Sequence, residues 1–426
     1  MFRSEEITSA EILEFIQEHQ AENARYKRLE EYYKGNNDIL KRILKDVNRP
    51  NNKISHPFGT YITDLLTGYF MGEPVAYNID SEEDIAFKEL KTVLNYNIEH
   101  DENTELERNA SIFGKAYEVL YIADDGNLEF KSIKPYEVFL IYDNTIQAKV
   151  NYAVRYVEIK DGYIIELYTK DEIIGYETDG LFRQLTLTST VSHDFGDVPI
   201  IKYPNNSYEI GDFEKVIPLI DAYDKFVSDS LNDFDYFTNA YLAFYGVDSP
   251  EEDIAEMKQE RLLFFPEGAN AEFITKDLHG SEVEAHLDRT EKDIHKLSKV
   301  PNSSDENFAS NASGVAMQYK LLGTENLAIV KERKFKRALQ KRIELILNFL
   351  DFKSGNTLDW RQVNLTFTRN LPVDGTAVAE YINKLRGLLS DETLIGWLPN
   401  VEDAKTEIEK RDNEKPEETD TYSFGE

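Results

Sequence analysis

The 426-residue chain contains no cysteine, which excludes disulfides, thiolate metal sites and cysteine nucleophiles. No apolar run approaches the ~20 residues that cross a bilayer. The opening stretch MFRSEEITSAEILEF puts acidic residues where a signal peptide needs an apolar core. The expectation is a soluble protein kept in the reducing compartment where it is made, with no membrane partner. Basic residues are scarce: 48 Lys and Arg face 80 Asp and Glu, for a formal charge of −32. A surface that wraps nucleic acid needs basic patches to displace counterions, so tight, broad DNA binding is not expected. A polyanion passing with weak contact is compatible with this charge. GxxxxGK[ST], GxGxxG after a strand, HExxH and GxSxG are missing too, which removes the commonest phosphate-loop, dinucleotide, zinc-protease and serine-hydrolase chemistries. No cofactor is expected.

What is present suits a folded core. The hydrophobic share is 41% and aromatics reach 12%, with 25 Tyr, and the length allows two to four domains. Ile12, Phe15 and Ile16, then Leu40, Ile43 and Leu44, recur at helical spacing, so 7–47 reads as helices. A further helix starts near Phe58 and stops between Gly68 and Gly72, an extended segment follows over 74–79, and another helix covers 101–114. From 115 to 203 the period changes to two. Asp125-Gly126, Asp161-Gly162 and Asp179-Gly180 each sit between alternating runs, a strong hairpin signal. Helical spacing resumes with Phe213, Val216, Ile220, Tyr223, Val227, Leu231 and Phe234 on one face, with Asp212 as the expected N-cap and Pro218 at the first turn or a kink. Residues 241–278 read as a small compact unit: YLAFYGV, a short acidic helix (249–260), then a strand, a Pro-Glu-Gly turn and a strand. A helix over 281–300, a polar stretch and a long helix over 313–352 follow. The long helix carries the stripe Phe335, Leu339, Ile343, Ile346 and Leu350. A strand over 361–372 and helices over 376–390 and 391–397 complete the pattern, with SDET as an N-cap signature. The last dozen or so residues, charged and Pro-broken, are expected to be disordered.

Few clusters point to chemistry. His286 and His295 share a helix, but nine residues apart they cannot hold one metal as an i,i+4 pair does. Asp233/Asp235 and Glu251/Glu252/Asp253 could be read as a magnesium-dependent nuclease site, although 80 carboxylates in one chain make such neighbours common by chance. No metal site is expected. KERKFKRALQKR (331–342) holds seven basic residues in twelve; it either contacts DNA or pairs with acidic neighbours, in the chain or across a subunit boundary. On 281–300, Val283, Leu287, Ile294 and Leu297 fall on one side and Lys292, Lys296 and Lys299 on the other. The order helix, small β unit, returning helix makes a stalk whose apolar seam is too narrow to stand alone and suits side-by-side packing with copies of itself. PNSSDENFASNASG (301–314) then separates two strong helices with short polar side chains. Ordered loops of this length inside compact domains are usually functional.

Several stretches resemble the portal proteins of tailed bacteriophages, in the branch typical of long-tailed phages of Gram-positive bacteria. They are NNKISHPFGTYITDLLTGYFMGEPVAY, NASIFGKAYEVLYI, DFEKVIPLIDAYDKFVSDSLNDFDYFTNAYLAFYG, HLDRTEKDIHKLSKVPNSSDENFASNASGVAMQYKLLGTENLA and LPVDGTAVAEYINKLRGLLSDETLIGWLP, in family order over about 20–405. The resemblance implies an α+β portal fold: a helical and β wing (1–212), stem helices (213–240 and 281–300) around a small α/β clip (241–280), a tunnel loop (301–314), a long wing helix and strand (315–374), and a short helical crown with an acidic tail (375–426). It implies a non-enzymatic ring, usually a dodecamer, at one capsid vertex. Through its bore double-stranded DNA enters by the terminase motor and leaves at infection. The implied partners are other copies of the chain, the large terminase subunit, a head-completion or adaptor protein, and the major capsid and scaffolding proteins. The ring would belong to the virion, with assembly in the host cytoplasm. On this reading Ser303, Ser304, Asp305, Glu306, Asn307 and Phe308 line the constriction, and Lys292, Lys296 and Lys299 line the stem. Glu251, Glu252 and Glu256 dock partners at the clip, and Leu287, Ile294 and Leu297 meet the neighbouring subunit. A monomeric or dimeric cation-dependent nuclease and a scaffold without an axial hole are the competing readings.

Overall fold

The computed structural model of the protein describes residues 6–46, 49–80, 84–238, 241–245, 270–274, 280–303, 314–370, 375–398, 401 and 404–414. The chain forms two compact units: Met1–Leu29, Ile62–Asp212 and Lys299–Glu426 make the first, and Glu30–Tyr61 with Phe213–Ser298 the second.

Helix α1 (Ser9–Gln20) opens on a capping box. The Thr8 hydroxyl accepts from the Glu11 amide and the Glu11 carboxylate accepts from the Thr8 amide, so two amides the helix leaves unpaired find partners. Helix α2 (Asn23–Tyr33) follows. Its end is marked by Gly35 at φ +79°, a left-handed conformation that costs glycine nothing. The helical reading fails over 40–46: among these described residues only a 3-10 turn forms, over Asp38–Lys41, and Ile43 is 90% exposed. Polar side chains set this segment instead, since Arg42 donates to the Asn51 side chain and the Asn52 carbonyl.

Helix α3 (Phe58–Met71) and strand β1 (Ala76–Asn78) match the expected positions. Helix α4 (Ile85–Tyr96) was not anticipated. Asp84 caps it through the Phe87 amide, and Phe87, Leu90 and Leu94 bury one face. Helix α5 (Glu99–Phe113) ends at Gly114, whose φ of +87° reverses the chain into β2 (Lys115–Ile122). The three Asp-Gly hairpins form as read. Strand β2 pairs with β3 (Leu128–Ile133), β5 (Val150–Ile159) with β6 (Gly162–Tyr168), and β7 (Glu172–Asp179) with β8 (Thr186–Ser192). Strands β4 (Val138–Tyr142) and β9 (Ile200–Pro204) complete a five-stranded antiparallel sheet of order β4-β5-β6-β7-β8 and a three-stranded one of order β3-β2-β9.

In the second unit, α6 (Ile217–Thr238) leads to β10 (Tyr241–Tyr245), which pairs antiparallel with β11 (Asn270–Ile274), and α7 (Gly280–Ser298) follows. The acidic helix over 249–260 and the Pro-Glu-Gly turn lie outside the described residues. Back in the first unit, α8 (Gly314–Ser354) precedes β12 (Asn364–Thr366), which pairs with β1. Of the strand expected over 361–372, three residues pair among the described ones, behind a 3-10 turn at Trp360–Gln362. Then come α9 (Gly375–Leu385), α10 (Asp391–Ile395) and α11 (Ala404–Glu414), the last in a stretch read only as charged. Ser390 caps α10 by accepting from the Thr393 amide, as SDET predicts. The tail expected to be disordered lies outside the described residues.

The largest core of the first unit gathers α3, α4, β2, β3, β9, α8 and β12. Phe335, Leu339, Ile343, Ile346 and Leu350 of α8 are all buried in it. Each such side chain contributes about 2 kcal/mol on burial, which is why the period of this stripe was the clearest signal in the sequence. A second cluster packs Ile12 and Ile16 of α1 on Phe139, Ile141, Val154, Tyr156, Ile165 and Leu167 of the five-stranded sheet. The α+β class that the resemblance implies is the class observed.

Candidate functional site

Helices α6 and α7 pack antiparallel. The Phe226 ring lies tilted against that of His286 (centroids 5.7 Å apart), while the 3-10 turn at Glu214–Val216, which leads into α6, lies beside α7. Pro218 stands in the first turn of α6, where its missing N–H costs nothing. The N-cap position of that 3-10 turn falls on Phe213, and the Asp212 carboxylate serves elsewhere, as described below. The apolar side of α6 is buried from Phe213 to Ile220, and burial then lessens until Phe234 is exposed. Val283 and Leu287 of α7 are half-buried and Ile294 is wholly buried.

A polar row on α6 had no place in the sequence reading. Asp224 is fully buried and accepts from the His56 amide (2.9 Å), His56 Nδ1 (2.8 Å) and the Asn37 side chain (2.6 Å). One turn on, Ser228 Oγ accepts from the Ile54 amide at 2.9 Å, and one turn further Asn232 Oδ1 accepts from the Asn52 amide at 2.6 Å. Asp235 accepts from the Asn52 side chain. The extended segment 52–56 is therefore laid along one helix face, its amides met at four-residue spacing. That spacing is legible in the sequence once α6 is known to be a helix, but nothing local says that the partner is 170 residues away. Around Tyr223 the rings of His56 and Phe58 pack edge-on at 4.7 and 5.3 Å, and His295 is edge-on to Tyr61 at 5.4 Å.

The basic run on α8 divides into paired and unpaired cations. Lys331 is buried between Glu107 (2.5 Å) and Asp212 (2.6 Å). Arg342, wholly buried, donates to both Glu118 oxygens (2.5 and 2.9 Å) and to Asn103, with its guanidinium over the Phe130 ring. Lys341 pairs with Asp197 and Glu344, and Lys336 donates to the Leu365 carbonyl. Arg333, Lys334 and Arg337 have no ion-pair partner among the described residues. For the paired members the run is an internal brace.

The triad of Glu107, Lys331 and Asp212 is the other feature missed by sequence reasoning. Asp212 also accepts from the Ser111 hydroxyl (2.6 Å) and the Asn205 side chain (2.9 Å). Burial pushes the Glu107 carboxyl up to about 7; Lys331 opposes this and the Asp212 charge adds to it. Burial alone would lower the Lys331 ammonium, yet its two carboxylates hold it above the ordinary value. A second hydrogen bond ties the return of the chain to the same helix. Lys299, at φ +61°, offers its carbonyl to the Thr324 hydroxyl at 2.8 Å. The chain leaves the first unit twice, at Leu29 and at Asp212, and Asp212 and Lys299 bound the second departure.

Comparison with known families settles the class. Residues 12–421 match the model of the phage portal protein family, SPP1 Gp6-like. The chain belongs to the phage portal protein family. It is 24% identical over 433 residues to the portal protein of Bacillus phage SPP1, covering 95% of this chain and 83% of that one. It is 26% identical over 432 residues to the portal protein of Clostridium phage phiCD119, covering 92% and 94%. Among solved structures it resembles a chain from the neck of an empty GTA particle computed with C6 symmetry, at TM-score 0.49 and 13% identity, covering 81% of this chain and 91% of that one.

The residues singled out for the portal reading fall as follows. Lys292 and Lys296 are exposed on α7, whereas Lys299 lies just past its end, also exposed. Of the three apolar positions named for the neighbour contact, Ile294 is wholly buried within the chain, Leu287 is half-buried and Leu297 is 60% exposed. Ser303 is exposed; Ser304, Asp305, Glu306, Asn307 and Phe308 lie outside the described residues, as do Glu251, Glu252 and Glu256. Among the described residues no group of three or more His, Cys, Asp or Glu is arranged to hold a metal ion, and no helix is long and apolar enough to cross a membrane.

Proposed function

We propose that this portal chain assembles into a closed dodecameric ring at one capsid vertex, through which double-stranded DNA is packaged and later released. The observation that carries the reading is the pair α6 and α7, joined through the β10–β11 ribbon, in a chain that matches the portal family from residue 12 to 421. On this reading 213–240 and 281–300 are the stem, 241–280 the clip, 301–314 the tunnel loop, 1–212 with 315–374 the wing, and 375–426 the crown. Lys292, Lys296 and Lys299 face the bore, and Ser303 to Phe308 form its constriction. The clip, through Glu251, Glu252 and Glu256, docks the large terminase subunit or a head-completion protein. Major capsid and scaffolding proteins surround the ring during assembly in the host cytoplasm. A charge of −32 per copy, multiplied around a ring, repels phosphate and keeps the passing DNA from sticking, and a few lysines can steer it without holding it. The chain itself performs no turnover.

Native mass spectrometry and negative-stain images of the purified chain test this. The expected result is a ring with an axial hole. A monomer or dimer, or an assembly without a hole, refutes it.

A further inference from the structure

Helix α8 has a second face that its own unit does not use. At 100° per residue, Tyr319, Leu322, Asn326, Val330, Arg333 and Arg337 fall within about 80° of arc, directly opposite Leu321, Ala328, Phe335 and Leu339, which are buried. The face opposite the core of a surface helix is normally charged. Here Tyr319 is 75% exposed, Leu322 53% and Val330 42%, in a stretch reading MQYKLLGTENLAIV. A helix apolar on both sides is a helix buried on both sides. The charges of α8 divide in the same way. Glu325 and Glu332 both pair with Arg369, and Lys331, Lys341 and Arg342 pair with carboxylates of this chain. Arg333 and Arg337, at the end of the exposed arc, are left over among the described residues.

We propose that this arc of α8 is a contact with a second copy of the same chain, in which Tyr319, Leu322 and Val330 are covered and Arg333 and Arg337 meet carboxylates of the neighbour. The proposal rests on the ring reading and adds the face by which one copy receives the next. Charge decides the occupant: an excess of 32 negative charges means that any neighbouring copy offers acidic surface to two unpaired arginines. A closed ring needs two different faces on each subunit, and a half-apolar, half-basic stripe fits a mixed acidic surface. DNA would use the arginines, but it has no use for an exposed leucine, valine and tyrosine in line with them.

The absence of cysteine allows a direct test. Val330→Cys places a lone thiol in the arc, and Ile146→Cys places one at a fully exposed position in the loop between β4 and β5. Both variants are labelled with a maleimide reagent after the mass of each assembly has been measured. In the ring, V330C should react slower than I146C by about tenfold or more, since the rate follows the fraction of time the contact is open. Equal rates in the ring overturn the proposal. Protection that appears only when linear double-stranded DNA is added also overturns it and makes the arc a DNA surface. If the unmodified chain has the mass of a single copy, the ring reading falls, and this proposal with it; the mass measurement identifies that case before any labelling. The double variant R333E/R337E should lower the ring fraction and leave the circular dichroism melting curve of the helices in place. An unchanged ring fraction refutes the pairing of the arginines with a neighbour's carboxylates.

Discussion

Replacing Glu107 with Gln isolates the electrostatics of the buried triad. In the wild-type protein Glu107 holds its proton up to about 7, against an ordinary 4.5, because burial outweighs the pull of Lys331. Below about 4.5 the carboxyl is protonated in both folded and unfolded chains, so it has no pH-linked effect. Between about 4.5 and 7 the folded chain keeps a proton that the unfolded chain has released, and stability falls as the pH rises. Above 7 the loss is complete, at roughly 3 kcal/mol. Gln cannot ionise, and it leaves Lys331 paired with Asp212 alone, a balanced buried pair. E107Q should therefore match the wild type near pH 5, where Glu107 is protonated and the Gln amide oxygen accepts from Lys331 in its place. Relative to the wild type it should then gain about 3 kcal/mol between pH 5 and 8. Urea-unfolding midpoints for the two proteins, measured across that range, give the difference directly. Infrared difference spectra provide a second readout, because the stretch of a neutral carboxyl should persist to about pH 7 in the wild type and have no counterpart from this site in E107Q. A stability difference that stays constant from pH 5 to 8 would refute the reasoning, as would a carboxyl band lost by pH 4.5.

Three further perturbations test other parts of the fold. His19→Gln bears on the acid limb. Burial, aided by the Lys115 charge, lowers the imidazole to about 4 from an ordinary 6.5, so its contribution is complete above about 6.5 and lost as the pH falls to 4. The wild type should lose roughly 3 kcal/mol over that window that H19Q does not, and parallel acid titrations of the two proteins would contradict this. Asp224→Ala strips three donors of their buried acceptor, at a cost of about 3 kcal/mol or more, and limited proteolysis should cut near 51–57 faster than in the wild type. Gly114→Ala combines a left-handed backbone with a Cβ driven into the Glu209 carbonyl, and should lower stability by more than about 2 kcal/mol; an unchanged melting temperature would mean that the turn from α5 into β2 is looser than described.

How much of this was legible depended on where the determining partner sits in the chain. The Asp-Gly hairpins, the cap at Ser390 and the stripe on α8 are fixed by neighbours within a few residues or by one strong period, and all were read correctly. Helix α4 went unread although its cap and its Phe87, Leu90 and Leu94 face are local signals. Residues 40–46 failed for the opposite reason: the aliphatic spacing was right for a helix, but Arg42 found partners at 51 and 52 that hold the backbone open. Asp212 has the right residue type for an N-cap, and only the tertiary fold brings Lys331, Ser111 and Asn205 to its carboxylate. The basic run carried both meanings at once. Its composition could not say which cations point inward, because that depends on the 3.6-residue period set against a core not visible from the run itself. On α7 the same limit assigned Ile294 to a neighbour, although it is already buried within the chain.

Thr324 and Lys331 stand seven residues apart on α8, about 10 Å along its axis, and between them they grip the two points where the polypeptide departs at Asp212 and returns at Lys299. Both points therefore ride on a single rod. A push along α8 carries the outgoing and incoming ends together, by the same distance and in the same direction, and a twist of α8 turns them as a pair. Within the first unit, then, two points 87 positions apart in the sequence are coupled as one body, and loosening either the Thr324 or the Lys331 contact uncouples them.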